Sequence, residues 1–139
     1  MTYDQELKLD CANSNIALIE LGDAVDYFNS LEAKYSLKYN RVDFSLLDKH
    51  IHMKANGNDL ATDYQSFIIG LFDSIKCYSD IIYIGDNLTE SAYKLHLSFL
   101  IPFVSKIAEI PQSHYFFPDD YSWCLNFSFE DDMDFGFLV

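Results

Sequence analysis

The feature that most constrains the fold is an alternation of apolar and polar side chains near the C-terminal end. From Ser122 to Glu130 every second residue is apolar, and these residues are Trp123, Leu125, Phe127 and Phe129. A period of two places such side chains on one face of an extended strand, as in a strand with one buried face. The sequence therefore predicts a strand here, and we expect Trp123, Phe127 and Phe129 to lie in the core.

A second strand is expected to return alongside the first. The pair Asp131-Asp132 can turn the chain, after which Met133, Phe135 and Phe137 resume the alternation. Two such segments joined by a short turn are typical of a β-hairpin. The segment 114–117, just before Pro118, can add a third strand. The last quarter of the chain therefore predicts a small antiparallel sheet or hairpin.

The first two thirds of the chain predict helices. In the segments 15–35 and 59–78 apolar residues recur at steps of three or four, which places them on one helical face. Between the second helix and the next predicted one, the short apolar segment 81–84 is either a buried strand or a linking stretch.

A third helix is expected over residues 88–110. This segment is apolar nearly all round, which is typical of a helix at the centre of a fold. Asn87 and Glu90 can form a capping box at its start, and Pro102 should bend it. No internal repeat or linker interrupts the chain. We therefore expect one α+β domain over residues 1–139, with N-terminal and central helices packed on a small C-terminal antiparallel sheet or hairpin.

Charge excludes several classes of partner. The 139 residues include 22 Asp and Glu against 9 Lys and Arg, a net charge of −13. Binding to nucleic acid needs a basic surface, so we expect no nucleic-acid partner, and an anionic membrane is disfavoured for the same reason. No apolar run approaches the ~20 residues of a membrane span, and no signal peptide is recognisable. Three cysteines, an odd number without a close pair, favour a cytoplasmic protein.

The sequence carries no recognisable catalytic or cofactor motif. A G-x-S-x-G elbow is absent, and five scattered glycines make a phosphate-binding loop improbable. His50 and His52 form an H-x-H pair that could direct two imidazoles toward a metal, but no third ligand lies at a familiar spacing. Ordinary surface histidines are the better interpretation. We therefore expect no enzyme, no metal and no cofactor.

Negative charge and aromatic side chains are concentrated together in the C-terminal stretch. Lys106 is the last basic residue of the chain. Unneutralised carboxylates cost stability through self-repulsion, and a cationic partner is one physical reason to keep them. Neutralisation of these carboxylates within the fold would argue against that reason. The candidate partner-binding residues, most of them near turns and expected to be exposed, are Asp119, Asp120, Tyr121, Glu130, Asp131, Asp132 and Asp134.

Two blocks of this stretch, His114 to Cys124 (HYFFPDDYSWC) and Glu130 to Gly136 (EDDMDFG), resemble small bacterial immunity proteins. These are the inhibitors of contact-dependent growth inhibition toxins and related polymorphic toxins. The likeness covers roughly the last 30 residues, together with general size and acidity. It implies a non-enzymatic cytoplasmic protein that binds one toxin domain with a basic surface, often a nuclease. It implies neither a particular fold nor particular contact residues.

Other functions remain open at this point. A nucleic-acid mimic of phage or plasmid origin, such as an anti-restriction or anti-CRISPR inhibitor, would use carboxylates in place of phosphates. Such a protein would need acids spaced regularly along an extended surface, whereas here they bunch near the C-terminal end. A small enzyme would need a carboxylate or histidine of perturbed pKa in a pocket. An adaptor domain is also compatible with the sequence, which leaves the oligomeric state open.

Overall fold

The computed structural model describes all residues 1–139 and is built around a seven-stranded antiparallel sheet. Its strands are β1 (Ile19–Asp23), β4 (Asp48–Lys54), β5 (Asp80–Gly85), β6 (Ser91–His96), β7 (His114–Phe117), β8 (Trp123–Phe127) and β9 (Asp132–Phe137). Their order across the sheet is β1-β6-β5-β7-β8-β9-β4. A separate two-stranded hairpin consists of β2 (Leu37–Lys38) and β3 (Arg41–Val42).

Helices cover both faces of the large sheet. They are α1 (Tyr3–Asn13), α2 (Ala24–Lys34), α3 (Leu60–Ile75) and α4 (Leu100–Ile107). Helices α1, α3 and α4 pack with the larger apolar cluster on one face, which contains Trp123, Phe127 and Phe135. Helix α2 and the β2–β3 hairpin contribute to a smaller cluster on the other face, which contains Tyr115 and Cys124. Strands covered on both sides need apolar residues at consecutive positions, as the fully buried β7 and β8 show.

The α+β class is confirmed, but the expected small C-terminal sheet or hairpin is wrong because the sheet dominates the fold. The C-terminal hairpin β8–β9 and the strand at 114–117 are present as predicted. They form only part of the sheet, since β1, β4, β5 and β6 come from earlier in the chain. The segment 81–84, left open between strand and linker, lies within β5 near the middle of the sheet.

Two of the three predicted helices are also corrected. The segment 15–35 divides into β1 and α2, and the segment 88–110 divides into β6, a short turn and α4. The segment 88–110 is apolar nearly all round, which is compatible both with a strand buried on both faces and with a central helix. Its pattern alone therefore does not distinguish a strand from a helix. Pro102 lies in the first turn of α4, where its missing N–H removes no helical hydrogen bond. The helix predicted at 59–78 is confirmed as α3, and Asp59 caps it through the Thr62 N–H.

The alternation after β7 places its apolar residues as expected, with one exception. Trp123 and Phe127 are fully buried, which confirms their assignment to the core. Phe129 is 64% exposed, so its assignment to the core is wrong. Strand β8 ends at Phe127, and Phe129 lies in the turn beyond the sheet, where strand alternation no longer determines which way a side chain points. No helix of the structure combines the length and the apolar character needed to cross a membrane.

Candidate interaction surface

The acidic groups predicted as one site lie at opposite ends of the sheet. Strand β8 runs from the turn that carries Asp119 and Asp120 to the turn that carries Glu130 and Asp131. At about 3.4 Å per residue, its five residues separate the two turns by roughly 17 Å. Closeness in sequence therefore does not make these four carboxylates one patch.

In the first turn the two carboxylates are exposed, but the aromatic ring is not. Tyr121 is only 8% exposed, so the expectation that it is exposed is wrong. Its left-handed backbone (φ 58°) lies in a turn closed by its N–H donating to the Pro118 carbonyl, and its ring stacks on Phe117 with centroids 4.8 Å apart. The Tyr121 carbonyl also accepts a 2.7 Å hydrogen bond from the hydroxyl of Tyr35. Tyr121 is thus an internal packing residue in this structure.

Two further candidates, Asp132 and Asp134, are compensated within the chain. Asp134 Oδ1 lies 2.8 Å from His50 Nε2 and 2.9 Å from His52 Nδ1. A carboxylate can only accept, so each of those ring nitrogens carries a proton. Asp132 lies 3.3 Å from both Arg41 Nη1 and Lys54 Nζ.

Partial burial raises the pKa of Asp132, but the hydrogen bonds and charges of Lys54 and Arg41 outweigh it and hold the pKa below its usual value. Asp132 therefore stays ionised with its charge balanced by its neighbours. Asp134 is 9% exposed, and its contact with the two histidines likewise leaves little of it free for another molecule.

This arrangement lines a polar cleft, which is formed by Arg41, His50, His52, Asn126, Asp132 and Asp134 with part of the β2–β3 hairpin. Pairing of β4 with β9 places His52 opposite Asp134 and Lys54 opposite Asp132, and His50 follows on the same face. The cleft encloses about 340 Å³. No set of three or more His, Cys, Asp or Glu side chains is arranged to hold a metal ion. In this cleft His50 and His52 contact Asp134, and Arg41 pairs with Asp132, so these charges compensate one another and leave little electrostatic attraction for a charged ligand.

The second turn belongs to a larger group of carboxylates at one end of the sheet. At this end of the sheet Gly85, the last residue of β5, pairs with His114, the first residue of β7, and His114 pairs with Phe127, the last residue of β8. Strands β6 and β9 begin at the same end. We call this region the acidic end and define it by Asp23, Asp86, Glu90, Glu109, Glu130 and Asp131. None of these carboxylates forms an ion pair with a lysine or arginine. Four separate segments of the chain thus bring uncompensated charge to one end.

The loops of the acidic end are fixed to one another by two polar side chains, the buried Gln112 and the exposed Asp86. Gln112 Oε1 accepts hydrogen bonds from the backbone N–H groups of Asn87, Leu88 and Thr89 at 3.2, 2.6 and 3.2 Å. Asp86 Oδ1 accepts from the Ser113 N–H at 3.0 Å, and the Asp86 N–H donates to the Ser113 carbonyl. The carboxylates of the β5–β6 turn therefore sit on an ordered backbone.

An exposed aromatic side chain and a groove complete the acidic end. The Phe129 N–H donates to Ser113 Oγ at 3.0 Å, and the ring is exposed. Beside it lies a groove of about 240 Å³ whose lining includes Tyr64, Pro111, Glu109 and Asp131. Burial raises the pKa of Tyr64 to about 12, and the negative charges of Asp131, Asp63 and Glu109 add to that rise. The charges of Asp131 and Glu109 thus act on Tyr64, which lines the groove with them.

Sequence reasoning found part of this surface and missed the rest. Glu130 and Asp131 were expected, and whether they contact a partner stays a prediction. Asp86 and Glu90 lie far from them in sequence and join them through strand pairing, and Glu109 joins them from the segment between α4 and β7. Phe129 was assigned to the core, and the turn signal at Asp131-Asp132 just after it was the one available warning.

No protein-family model matches the chain, and no curated protein matches it significantly.

Proposed function

We propose that this protein binds a cationic protein domain through the acidic end and acts as an immunity protein that neutralises a toxin. One observation carries the proposal. Carboxylates from separate segments, none of them paired with a lysine or arginine, converge at one end of the sheet beside the exposed ring of Phe129. The resemblance of the C-terminal blocks to immunity proteins suggests the toxin as the partner.

Charge and aromatic surface supply different parts of such binding. A net charge of −13 steers a basic partner toward the acidic end, and steered association can reach ~10⁸–10⁹ M⁻¹s⁻¹ at low salt. Speed matters because a free toxin molecule acts repeatedly. Steering alone does not make a complex last, since slow dissociation depends on desolvated anchors at the interface. Phe129 is the large apolar side chain that the acidic end offers for this role.

A nuclease toxin fits this surface chemically. A nuclease needs a basic cleft to hold phosphate groups, and a carboxylate-rich surface can occupy that cleft or cover its rim. Inhibition then needs no reaction by the inhibitor. The polar cleft adds no support for catalysis, because Asp134 already contacts His50 and His52, and Asp132 already pairs with Arg41.

The main alternative is a nucleic-acid mimic that inhibits a phage-defence enzyme. Such a mimic presents charges at regular intervals along an elongated face, in the positions of phosphates. Here six carboxylates without an ion pair to lysine or arginine gather at one end of the sheet, and others, among them Asp119 and Asp120 at the opposite end, are scattered without a regular interval. A protein surface with a local basic patch is the better match for that distribution.

Charge reversal at the two ends of β8 tests the proposal. The partner is first captured with the tagged protein from its producing cells, identified and purified. We expect Glu130→Lys with Asp131→Lys to slow association about tenfold or more at low salt and to flatten its salt dependence. Asp119→Lys with Asp120→Lys is the matched control, because it makes the same charge change in the opposite turn. Stopped-flow association rates compare the two variants.

Three results contradict the proposal. The first is a captured partner with an acidic surface. The second is equal association rates for both reversed variants, which would indicate a general charge effect. The third is slower association of the control variant alone, which would place the contact at the opposite end.

A further inference from the structure

The groove beside Phe129 has the features of a pocket for one particular side chain. Its lining combines apolar residues, among them Leu60 and Pro111, with the carboxylates of Glu109 and Asp131. A pocket with an apolar wall and two acidic groups suits a long side chain that is apolar along its stem and positive at its tip. Only lysine and arginine have that construction.

We propose that this groove receives an arginine of the partner, with its guanidinium group held by Glu109 and Asp131 against the ring of Phe129. The inference rests on the proposed function and names the chemistry of the contact. A guanidinium group is flat, weakly hydrated and able to stack on an aromatic face while its edge donates to carboxylates. A lysine ammonium is compact and strongly hydrated, so it gains less from such a ring.

Both acidic groups are available for this contact. Neither the Glu109 nor the Asp131 carboxylate forms an ion pair within the chain. The negative charges of both carboxylates act on the hydroxyl of Tyr64, which also lines the groove. A cation in the groove would be attracted by the same two charges.

The backbone around the pocket is already in place before any partner arrives. Asp131 has a left-handed backbone (φ 68°), its N–H donates to the Ser128 carbonyl at 3.1 Å, and its carbonyl accepts from Ala55 at 2.8 Å. The Phe129 backbone is held by Ser113 as described above. A pre-ordered pocket loses less conformational entropy on binding than a flexible loop would.

Two peptides of equal charge test the inference, hexaarginine and hexalysine, both with blocked termini. We expect hexaarginine to bind more tightly at low salt by about two- to fivefold, the range of a stacking contribution at an exposed site. Phe129→Leu should bring this ratio close to one, whereas Phe129→Tyr should preserve it. Titration calorimetry gives the affinities, and amide chemical shifts locate the bound peptide.

Neutralised carboxylates provide the second arm of the test. Glu109→Gln with Asp131→Asn should weaken hexaarginine binding more than Asp119→Asn with Asp120→Asn, which changes the net charge equally. An arginine-to-lysine ratio of one in the unmodified protein would overturn the inference. So would a ratio that Phe129→Leu leaves unchanged, or binding of neither peptide.

Failure here is distinguishable from failure of the proposed function. If the peptides bind the acidic end without preferring arginine, the arginine pocket is wrong and cation binding stands. If charge reversal at Glu130 and Asp131 leaves partner association unchanged, the proposed function itself is wrong.

Discussion

At the scale of single residues, His114 illustrates how burial decides the chemistry of a side chain. It is 1% exposed, and its Nδ1 lies 2.7 Å from the hydroxyl of Tyr83. Its Nε2 has no hydrogen-bond partner within the protein. Burial lowers the pKa of His114 from 6.5 to about 3, although the nearby Ile110 carbonyl acts in the opposite direction. The folded protein therefore keeps this imidazole neutral across the physiological range.

The neutral His114 predicts a loss of stability on acidification. Below pH 6.5 the unfolded chain binds a proton at this histidine that the folded chain does not accept until about pH 3. The contribution is therefore fully present above pH 6.5 and is lost as the pH falls toward 3. Between pH 7.5 and 5.5 we expect the free energy of unfolding to drop by about 1.4 kcal/mol from this group alone.

Urea unfolding at several pH values measures this effect. His114→Gln keeps a polar side chain but removes the titrating group, so its stability should change less over the same interval. An equal acid dependence in the variant and the unmodified protein would assign the effect to other residues.

At the scale of elements, the turn between β5 and β6 depends on the absence of a side chain at Gly85. A Cβ atom there would overlap the side-chain amide of Gln112 and the hydroxyl of Thr89. Gln112 is the acceptor that pairs the N–H groups at 87–89, so displacing it leaves several buried polar groups without partners. The glycine is thus part of the framework that orders the acidic end.

Substitution of Gly85 tests that framework. We expect Gly85→Ala to lower the free energy of unfolding by about 1–3 kcal/mol and to speed amide exchange at residues 87–89. Gly22→Ala in β1 is the matched control, since nothing lies within 4 Å of a Cβ there. Equal stability of the two variants would show that Gln112 can move aside without loss.

The elements also show which signals in the sequence are local. Strand β8 and helix α3 were predictable because each repeats its own pattern over many residues, with Trp123 and Tyr64 at buried positions. Strand β4 is difficult to predict because it lies at the edge of the sheet with all its residues exposed, and only Ile51 and Met53 alternate with polar neighbours, which is too short a pattern to indicate a strand. Strand β6 resembles the start of a helix in sequence because its apolar residues, Ala92, Tyr93 and Leu95, follow no strict period of two and lead directly into the apolar segment of α4.

At the scale of the whole molecule, the site could be predicted only in part because strand pairing is not local. His50 and His52 contact Asp134 because β4 pairs with β9, and no sequence pattern near residue 50 predicts that pairing. The same pairing leaves Asp132 and Asp134, two of the predicted partner-binding residues, in contact with side chains of the protein itself. Pairing across β5, β7 and β8 brings other carboxylates to the acidic end. Residue types and total charge were readable from the sequence, but their grouping required the topology.

The excess of negative charge predicts an unusual response to salt. The chain has 22 carboxylates against 9 Lys and Arg, and the repulsion among uncompensated groups weakens as ions screen it. We expect the free energy of unfolding to rise by on the order of 1 kcal/mol between low salt and about 0.5 M sodium chloride. Urea unfolding measures this gain, which should be smaller in the variant with Glu130→Lys and Asp131→Lys. A fall in stability with salt would mean that attractive ion pairs dominate.

The two outermost strands of the sheet are both irregular, which has a consequence for how copies of the chain meet. The register of β4 against β9 breaks between Asp48 and Ile51, where Lys49 adopts a left-handed backbone (φ 52°), and that of β1 against β6 breaks between Glu20 and Asp23. A second strand laid along either edge would find its hydrogen-bonding groups out of step, and along β4 it would also meet Lys49. These irregular edges should therefore disfavour edge-to-edge strand pairing between neighbouring molecules, and with it fibre formation, even at the high protein concentration of a cell.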